Sequence, residues 1–227
     1  VGIALDGDAD RVIMVDERGE ILDGDVLLAM CARDMQSRGI LKGGAVVATV
    51  MSNLGLELEL RSLGLDLIRT QVGDRYVVEA MREGGYNLGG EQSGHVVLLD
   101  HTSTGDGLMA ALQVLAIMAR EQKPLSELVS RFERFPQVMV NVGVAEKRPL
   151  EELPSVQDAI RDVESRLGER GRVLIRYSGT ELKARVMVEG EDAAQVQEHA
   201  NQLASVLKEA LAGATRDNTR QVGHQAP

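Results

Sequence analysis

From Gly24 to Arg120, short apolar runs alternate with longer segments in which leucine and methionine recur at helical spacing. That alternation confines the chain to a layered architecture of strands and helices. Leu27, Leu28, Met30, Cys31 and Met35 mark a helix from Gly24 to about Arg38, and Ala45–Val50 is a compact apolar run that reads as a buried strand. Asn53–Leu63 favours helix by its length and Leu/Glu composition. A strand is expected over Leu65–Val72, a short helix over Asp74–Arg82, and strands over Asn87–Gly90 and His95–Leu99. A helix over Gly105–Arg120 carries Leu108, Ala111, Leu112, Leu115 and Met118 on one side. Preceding all of these, residues 1–5 and 12–16 read as a strand pair. The predicted class is α/β: a mixed, mainly parallel sheet with helices on both faces.

A helix over Leu125–Phe132 and the pair Phe135-Pro136 close this region. Beyond it the order is strand (Gln137–Val144), helix (Ser155–Leu167), strand (Val173–Tyr177), strand (Ala184–Val188) and helix (Asp192–Leu211). That β-α-β-β-α order predicts a small α+β domain with helices on one face of a mainly antiparallel sheet. The expected division is an opening segment 1–16, an α/β domain 17–134, an α+β domain 135–212, and a polar, aperiodic, disordered tail 213–227.

A formal charge of -10 on 227 residues gives no support for a nucleic-acid surface, which needs a clustered basic face. The single cysteine, Cys31, rules out an intrachain disulfide and suits a reducing, cytoplasmic setting. No apolar stretch reaches membrane-spanning length, so neither nucleic acid nor membrane is expected as a partner. Val1 is not a methionine and Val1–Leu5 reads as a strand already under way, which predicts the C-terminal part of a longer protein.

The chemistry concentrates in three short segments. Asp6-Gly7-Asp8-Ala9-Asp10-Arg11 places a carboxylate on every second residue between two apolar runs. Such carboxylates repel one another unless a cation sits among them. Hard divalent ions such as Mg²⁺ take oxygen ligands and leave positions open for phosphate. Asp6, Asp8 and Asp10 are therefore candidate metal ligands, set against the plainer reading of a solvated acidic turn. An EF-hand is excluded: its sixth position needs glycine, where Arg11 stands, and Val12–Val15 is strand-like rather than helical.

Gly89-Gly90-Glu91-Gln92-Ser93-Gly94-His95 sets a carboxylate, an amide, a hydroxyl and an imidazole among glycines that let backbone approach a ligand. Glu91, Gln92 and Ser93 suit sugar hydroxyls, and His95 is the residue type best matched to proton transfer near neutral pH. An ordinary hairpin turn with an incidental histidine accounts for the same residues equally well. In Arg176-Tyr177-Ser178-Gly179-Thr180-Glu181, the arginine fork matches phosphate oxygens, Ser178 and Thr180 add hydroxyls, and Gly179 lets backbone N–H groups line a concavity. The competing reading is a β-turn beside a surface arginine. Gly73-Asp74-Arg75 opens a helix, with Asp74 favoured as its N-cap over a second anion site.

Taken in order, D-G-D-A-D-R, G-E-Q-S-G-H and R-Y-S-G-T-E resemble the α-D-phosphohexomutase family, over nearly the whole chain to about Leu211. A-T-V-M-S-N-L-G at Ala48–Gly55 and V-G-D-R-Y-V at Val72–Val77 look like the members that act on glucosamine phosphates. The resemblance implies the end of a second domain with a metal loop at 1–16, then a sugar-binding third and a phosphate-binding fourth domain. It implies Mg²⁺ on Asp6, Asp8 and Asp10, Arg11 near the transferring phosphoryl group, and His95 as candidate general acid/base. Glu91, Gln92 and Ser93 would read the sugar, while Arg176, Ser178, Gly179 and Thr180 anchor the non-reacting phosphate. The implied reaction interconverts glucosamine 6-phosphate and glucosamine 1-phosphate through a bisphosphorylated sugar. Mannose or glucose phosphates are the alternative substrates, and a phosphosugar-binding fragment without turnover is the alternative class. Two departures stand out. Nothing matches the family's phosphoserine loop, which lies in the first domain, so missing N-terminal domains of the same protein are an expected partner. Leu182 also stands where the family usually has proline, which loosens the turn.

Overall fold

The computed structural model describes residues 1–221, which divide into two compact units meeting between Arg134 and Phe135. In the first, β1 (Gly2–Leu5) and β2 (Val12–Val15) pair antiparallel around the acidic segment, and β3 (Ile21–Leu22) pairs with β2 on its other edge. All of β1 is exposed, including Ile3 and Leu5, whereas Val12 and Met14 of β2 are buried.

Next come α1 (Gly24–Ser37), β4 (Ala45–Thr49), α2 (Leu54–Ser62), β5 (Asp66–Thr70), α3 (Asp74–Gly84), β6 (Leu88–Gly90), β7 (Val96–Leu98), α4 (Gly107–Glu121) and α5 (Leu125–Leu128). Their four strands run in the order β5-β4-β6-β7, with β4 parallel to β5 and β6 and only β7 antiparallel. Side chains alternate across a strand. Accordingly Val46 and Ala48 join a core with Leu27, Leu28, Leu56 and Val114, while Val47 faces Val77 and Met81 of α3. Helices therefore cover both faces, as the alternation of segments implied.

The second unit runs β8 (Gln137–Gly143), α6 (Pro154–Leu167), β9 (Arg172–Tyr177), β10 (Lys183–Glu189) and α7 (Ala193–Gln221). Its sheet is antiparallel in the order β8-β10-β9. Val142, Ala184, Val186 and Val188 face Val163, Val196, Leu203 and Leu207 of the two helices. This is the β-α-β-β-α layer expected from sequence. Among the described residues no helix is long and apolar enough to cross a membrane.

Three local expectations need correction. Helix α5 ends at Leu128 rather than Phe132, because Ser130 turns its hydroxyl back to the Glu127 carbonyl (2.8 Å) and Val129 closes the helix. Gly73, not Asp74, is the N-cap of α3: its φ of 135° suits glycine, and Asp74 instead accepts the neighbouring Arg75 N–H (2.8 Å). Helix α7 continues to Gln221, into the segment expected to be a disordered tail, since no proline interrupts it; residues 222–227 lie outside the described residues.

Candidate active site

The acidic loop is a tight turn closed by backbone. Asp6 N–H donates to the Arg11 carbonyl (3.4 Å), Ala9 N–H to the Asp6 carbonyl (3.2 Å), and Arg11 N–H to Asp6 Oδ1 (3.2 Å). Ala9 takes φ 59°, a left-handed conformation uncommon for a residue with a Cβ, in a turn that keeps the three aspartates close to one another. Asp6, Asp8 and Asp10 each offer a carboxylate oxygen, all within 4.8 Å of one another. Burial, then the Asp8 charge, push the Asp10 carboxyl above the usual carboxylate value; His95 opposes this and Asp6 adds to it. Arg11 stands at the rim, its Nε 3.9 Å from Asp6 and 3.8 Å from Asp10, too far for a hydrogen bond.

The donor set fits a hard divalent cation. It is all oxygen, and Asp10 Oδ1 is buried with no hydrogen-bond partner, an atom whose desolvation a metal would compensate. Helix α4 assists from below: Gly107, its first residue, donates its N–H to the Ala9 carbonyl (2.9 Å), so the positive helix end underlies the carboxylates.

The glycine-bounded loop docks directly on this turn. Val12 N–H donates to the Gly94 carbonyl (3.1 Å), and His95 Nδ1 lies 3.1 Å from Asp10 Oδ2. Within the loop, Glu91 N–H donates to the His95 carbonyl (2.8 Å) and Gly94 N–H to the Glu91 carbonyl (3.0 Å). Glu91 is aimed from outside the loop, for its Oε1 accepts the Gly73 N–H (3.0 Å), while Ser93 Oγ reaches Oε2 (3.4 Å). Glu91, Gln92 and Ser93, with Thr49, Met51 and Val72, line a cavity of about 340 Å³. His95 is not part of that lining. It is 1% exposed, and its Nε2 accepts the Gly105 N–H (3.2 Å).

Arg176, Ser178, Gly179 and Thr180 lie together in the second unit, at the hairpin between β9 and β10. Ser178 is buried; its N–H donates to the Lys183 carbonyl (2.8 Å) and its hydroxyl accepts the Glu181 N–H (3.3 Å). Gly179 and Thr180 are exposed at the tip. Lys147 Nζ holds the turn from the side, donating to the carbonyls of Ser178 (2.6 Å) and Gly179 (3.3 Å). Leu182, where proline was the expected residue, is exposed, and its carbonyl accepts the Val144 N–H (3.0 Å).

Arg185 escaped the sequence reading. The register sets it directly opposite Arg176, and like charges so placed repel unless an anion lies between them. Burial first, and then the Arg185 guanidinium, hold the pKa of Arg176 below its ordinary value. The signal available in the sequence was a second arginine on the strand beyond the turn; which residue it faces depends on the length of the connection Ser178–Lys183, which the motif does not fix. The Gly73 anchor of Glu91 left no comparable local signal.

Two segments match family descriptions. Residues 23–135 match Phosphoglucomutase/phosphomannomutase, alpha/beta/alpha domain III, and residues 139–206 match Phosphoglucomutase/phosphomannomutase, C-terminal domain. Among curated relatives, phosphoglucosamine mutase of Myxococcus xanthus is 58% identical over 211 residues, 93% of this chain and 46% of the relative. Phosphoglucosamine mutase of Nitratidesulfovibrio vulgaris is 57% identical over 211 residues, 93% of this chain and 47% of the relative. The chain thus spans about half the length of the curated relatives it matches. Among solved structures, Aspergillus fumigatus N-acetylphosphoglucosamine mutase in complex with GlcNAc-6P and magnesium superposes with a TM-score of 0.74 at 26% identity, over 92% of this chain and 48% of that one. Domain order, motif spacing and sequence identity agree, and the chain belongs to the phosphoglucomutase/phosphomannomutase family.

Proposed function

We propose that this chain is the metal-, sugar- and phosphate-binding half of a phosphoglucosamine mutase, an isomerase interconverting glucosamine 6-phosphate and glucosamine 1-phosphate. The observation that carries the proposal is the docking of the aspartate turn onto the Glu91–His95 loop, which brings the three carboxylates beside Glu91 as neighbouring cation and sugar sites would require. Likeness to curated phosphoglucosamine mutases supports reading the substrate as the amino sugar rather than mannose or glucose phosphates.

Asp6, Asp8 and Asp10 would hold Mg²⁺, which when bound neutralises charge on the transferring phosphoryl group. Arg11, half-exposed beside the carboxylates, pairs with the phosphoryl oxygens and orients them. Glu91, fixed by the Gly73 N–H, accepts from neighbouring sugar hydroxyls, with Gln92 and Ser93 completing the set. Arg176, Ser178, Gly179, Thr180 and Arg185 grip the phosphate that is not reacting. Neither Ser93 nor Ser178 is the phosphoryl donor: Ser93 belongs to the sugar loop, and Ser178 is buried with its hydroxyl in the hairpin. The donor serine belongs to N-terminal domains corresponding to the other half of the relatives. Ile3 and Leu5 of β1 and Leu108 and Leu112 of α4 present the kind of exposed apolar surface that such domains cover.

The test joins this chain to the N-terminal half of the Myxococcus xanthus relative and assays both glucosamine phosphates with and without Mg²⁺. Turnover is expected only in the joined protein with the metal present. Asp8→Asn should lower kcat by roughly 100-fold or more, in the range typical for loss of an electrostatic stabiliser; near-unchanged turnover removes the metal assignment. The same protein should prefer glucosamine phosphates to glucose and mannose phosphates. Calorimetry of the isolated chain with glucosamine 6-phosphate, run beside the assay, identifies a binding module if it finds affinity where the joined protein shows no turnover. Arg176→Ala should weaken that affinity by about tenfold or more, the scale of a lost charge-assisted hydrogen bond. Unaltered affinity would take the phosphate away from the hairpin.

A further inference from the structure

We infer that Lys147 is a positioning residue for the hairpin between β9 and β10, resting on the reading of that hairpin as a phosphate grip. It aims two backbone N–H groups at the anion by holding the carbonyls on the other side of the same peptide bonds.

Lys147 lies outside the hairpin, on the connection from β8 to α6. Its ammonium donates to the Ser178 carbonyl (2.6 Å) and to the Gly179 carbonyl (3.3 Å). Those carbonyls belong to the two peptide bonds whose nitrogens are Gly179 and Thr180. Both bonds are trans, so each N–H points opposite to its carbonyl. Drawing both oxygens to one ammonium turns the Gly179 and Thr180 N–H groups toward the far side of the turn. Among the described residues neither of these N–H groups has a hydrogen-bond acceptor. Successive N–H groups facing one side form a concavity that suits an anion.

Charge and packing favour the same direction. Lys183, within the hairpin, is paired with Glu181 (2.7 Å), whereas among the described residues no carboxylate lies within ion-pair distance of Lys147. Its charge is therefore not cancelled beside the turn. At Gly179 neither conformation nor packing demands glycine: its φ lies outside the left-handed region, and a Cβ would meet nothing within 4 Å. What the missing side chain preserves is open approach to the two N–H groups. Leu182 supplies no proline ring to stiffen the turn. The segment that carries Lys147 ties it instead, for Val144 N–H donates to the Leu182 carbonyl (3.0 Å). One connection thus holds the turn on both sides of its tip.

The full chain is titrated with glucosamine 6-phosphate by calorimetry, and its backbone amides are followed by NMR. In wild type the Gly179 and Thr180 amide resonances should move on saturation. Lys147→Met keeps an apolar stem and removes the donor; it should weaken binding by about tenfold, the scale of lost charge-assisted hydrogen bonds. Lys147→Arg can still donate to two carbonyls and should remain within about threefold of wild type. In saturated Lys147→Met the same two amides should respond less than in wild type. Unweakened binding in Lys147→Met, an equal loss in both variants, or wild-type amides that stay still while ligand binds overturns the positioning role. A full amide response beside weakened binding also overturns it, since Lys147 would then act by touching the phosphate itself. Arg176→Ala in the same titration tests the underlying reading. Absence of binding in wild type, or unaltered binding in Arg176→Ala, overturns the hairpin as the phosphate site instead.

Discussion

Alanine at Gly24 should destabilise the first unit by about 3 kcal/mol, from the upper range of overpacking effects, and under the proposed function it should weaken binding of glucosamine 6-phosphate at least tenfold. Gly24 is the first residue of α1, and its N–H donates to the Gln92 carbonyl (3.0 Å). A Cβ there would overlap the Glu91 carbonyl oxygen and come within 2.9 Å of the Gly94 nitrogen. Both obstacles are backbone, so no side-chain rotation relieves them. Either the helix start withdraws or the sugar loop moves, and moving the loop also disturbs the Gly94–Val12 bond to the aspartate turn. Gly143→Ala is the control, because a Cβ at that strand position meets nothing within 4 Å. Chemical denaturation and calorimetry read the two effects. Wild-type stability with wild-type affinity in Gly24→Ala would mean that the junction of helix and loop is soft.

The second large effect is a dependence of stability on pH set by Asp25. This residue is fully buried in the first turn of α1, and burial pushes its carboxyl up to about 7. The Asn53 N–H at 2.8 Å pulls in the opposite direction, Asp23 pushes further up, and Ser52 and Arg69 pull down. In the unfolded chain the group returns to the ordinary carboxylate value of 3.8. The native state therefore binds its proton more tightly. Asp25's stabilising contribution is present in full below the unfolded value, and is lost as pH rises toward 7. Across that window the loss amounts to about 4 kcal/mol, at roughly 1.4 kcal/mol per pH unit. Asp25→Asn keeps a carbonyl oxygen to accept the Asn53 N–H and cannot ionise. It should stand about 4 kcal/mol above wild type at pH 8 and only about 1.5 kcal/mol above it at pH 5. Parallel denaturation profiles for the two proteins across that range would show that Asp25 does not titrate there.

Much of this architecture was legible because its signals are local. The alternating strands and helices up to α4 follow from runs such as Ala45–Val50 and from the leucines of α1 and α4, and the β-α-β-β-α order of the second unit was equally readable. Likewise, the three chemical segments were visible as patterns of residue type. What escaped depends on partners distant in sequence. Glu91 is aimed by Gly73, eighteen positions earlier, and His95 is turned toward Asp10, eighty-five positions earlier. A residue list places histidine in a glycine-bounded loop; only the contacts with the Gly105 N–H and Asp10 show how the ring is held. Asp74 illustrates the opposite failure, because a good capping residue next to glycine lost to the backbone conformation that glycine alone adopts easily.

Connections between strands and helices are usually where a layered protein changes length most freely. The turn Thr104-Gly105-Asp106-Gly107 has no such freedom. Its first glycine sits under the imidazole, its aspartate starts α4 by accepting the Met109 N–H (2.8 Å), and its second glycine bonds to Ala9. Adding or deleting one residue would swing the helix start out of phase with two other chain segments at once. Insertions and deletions among natural variants should therefore skirt these four positions, and a designer choosing where to splice in a tag or reporter should look elsewhere.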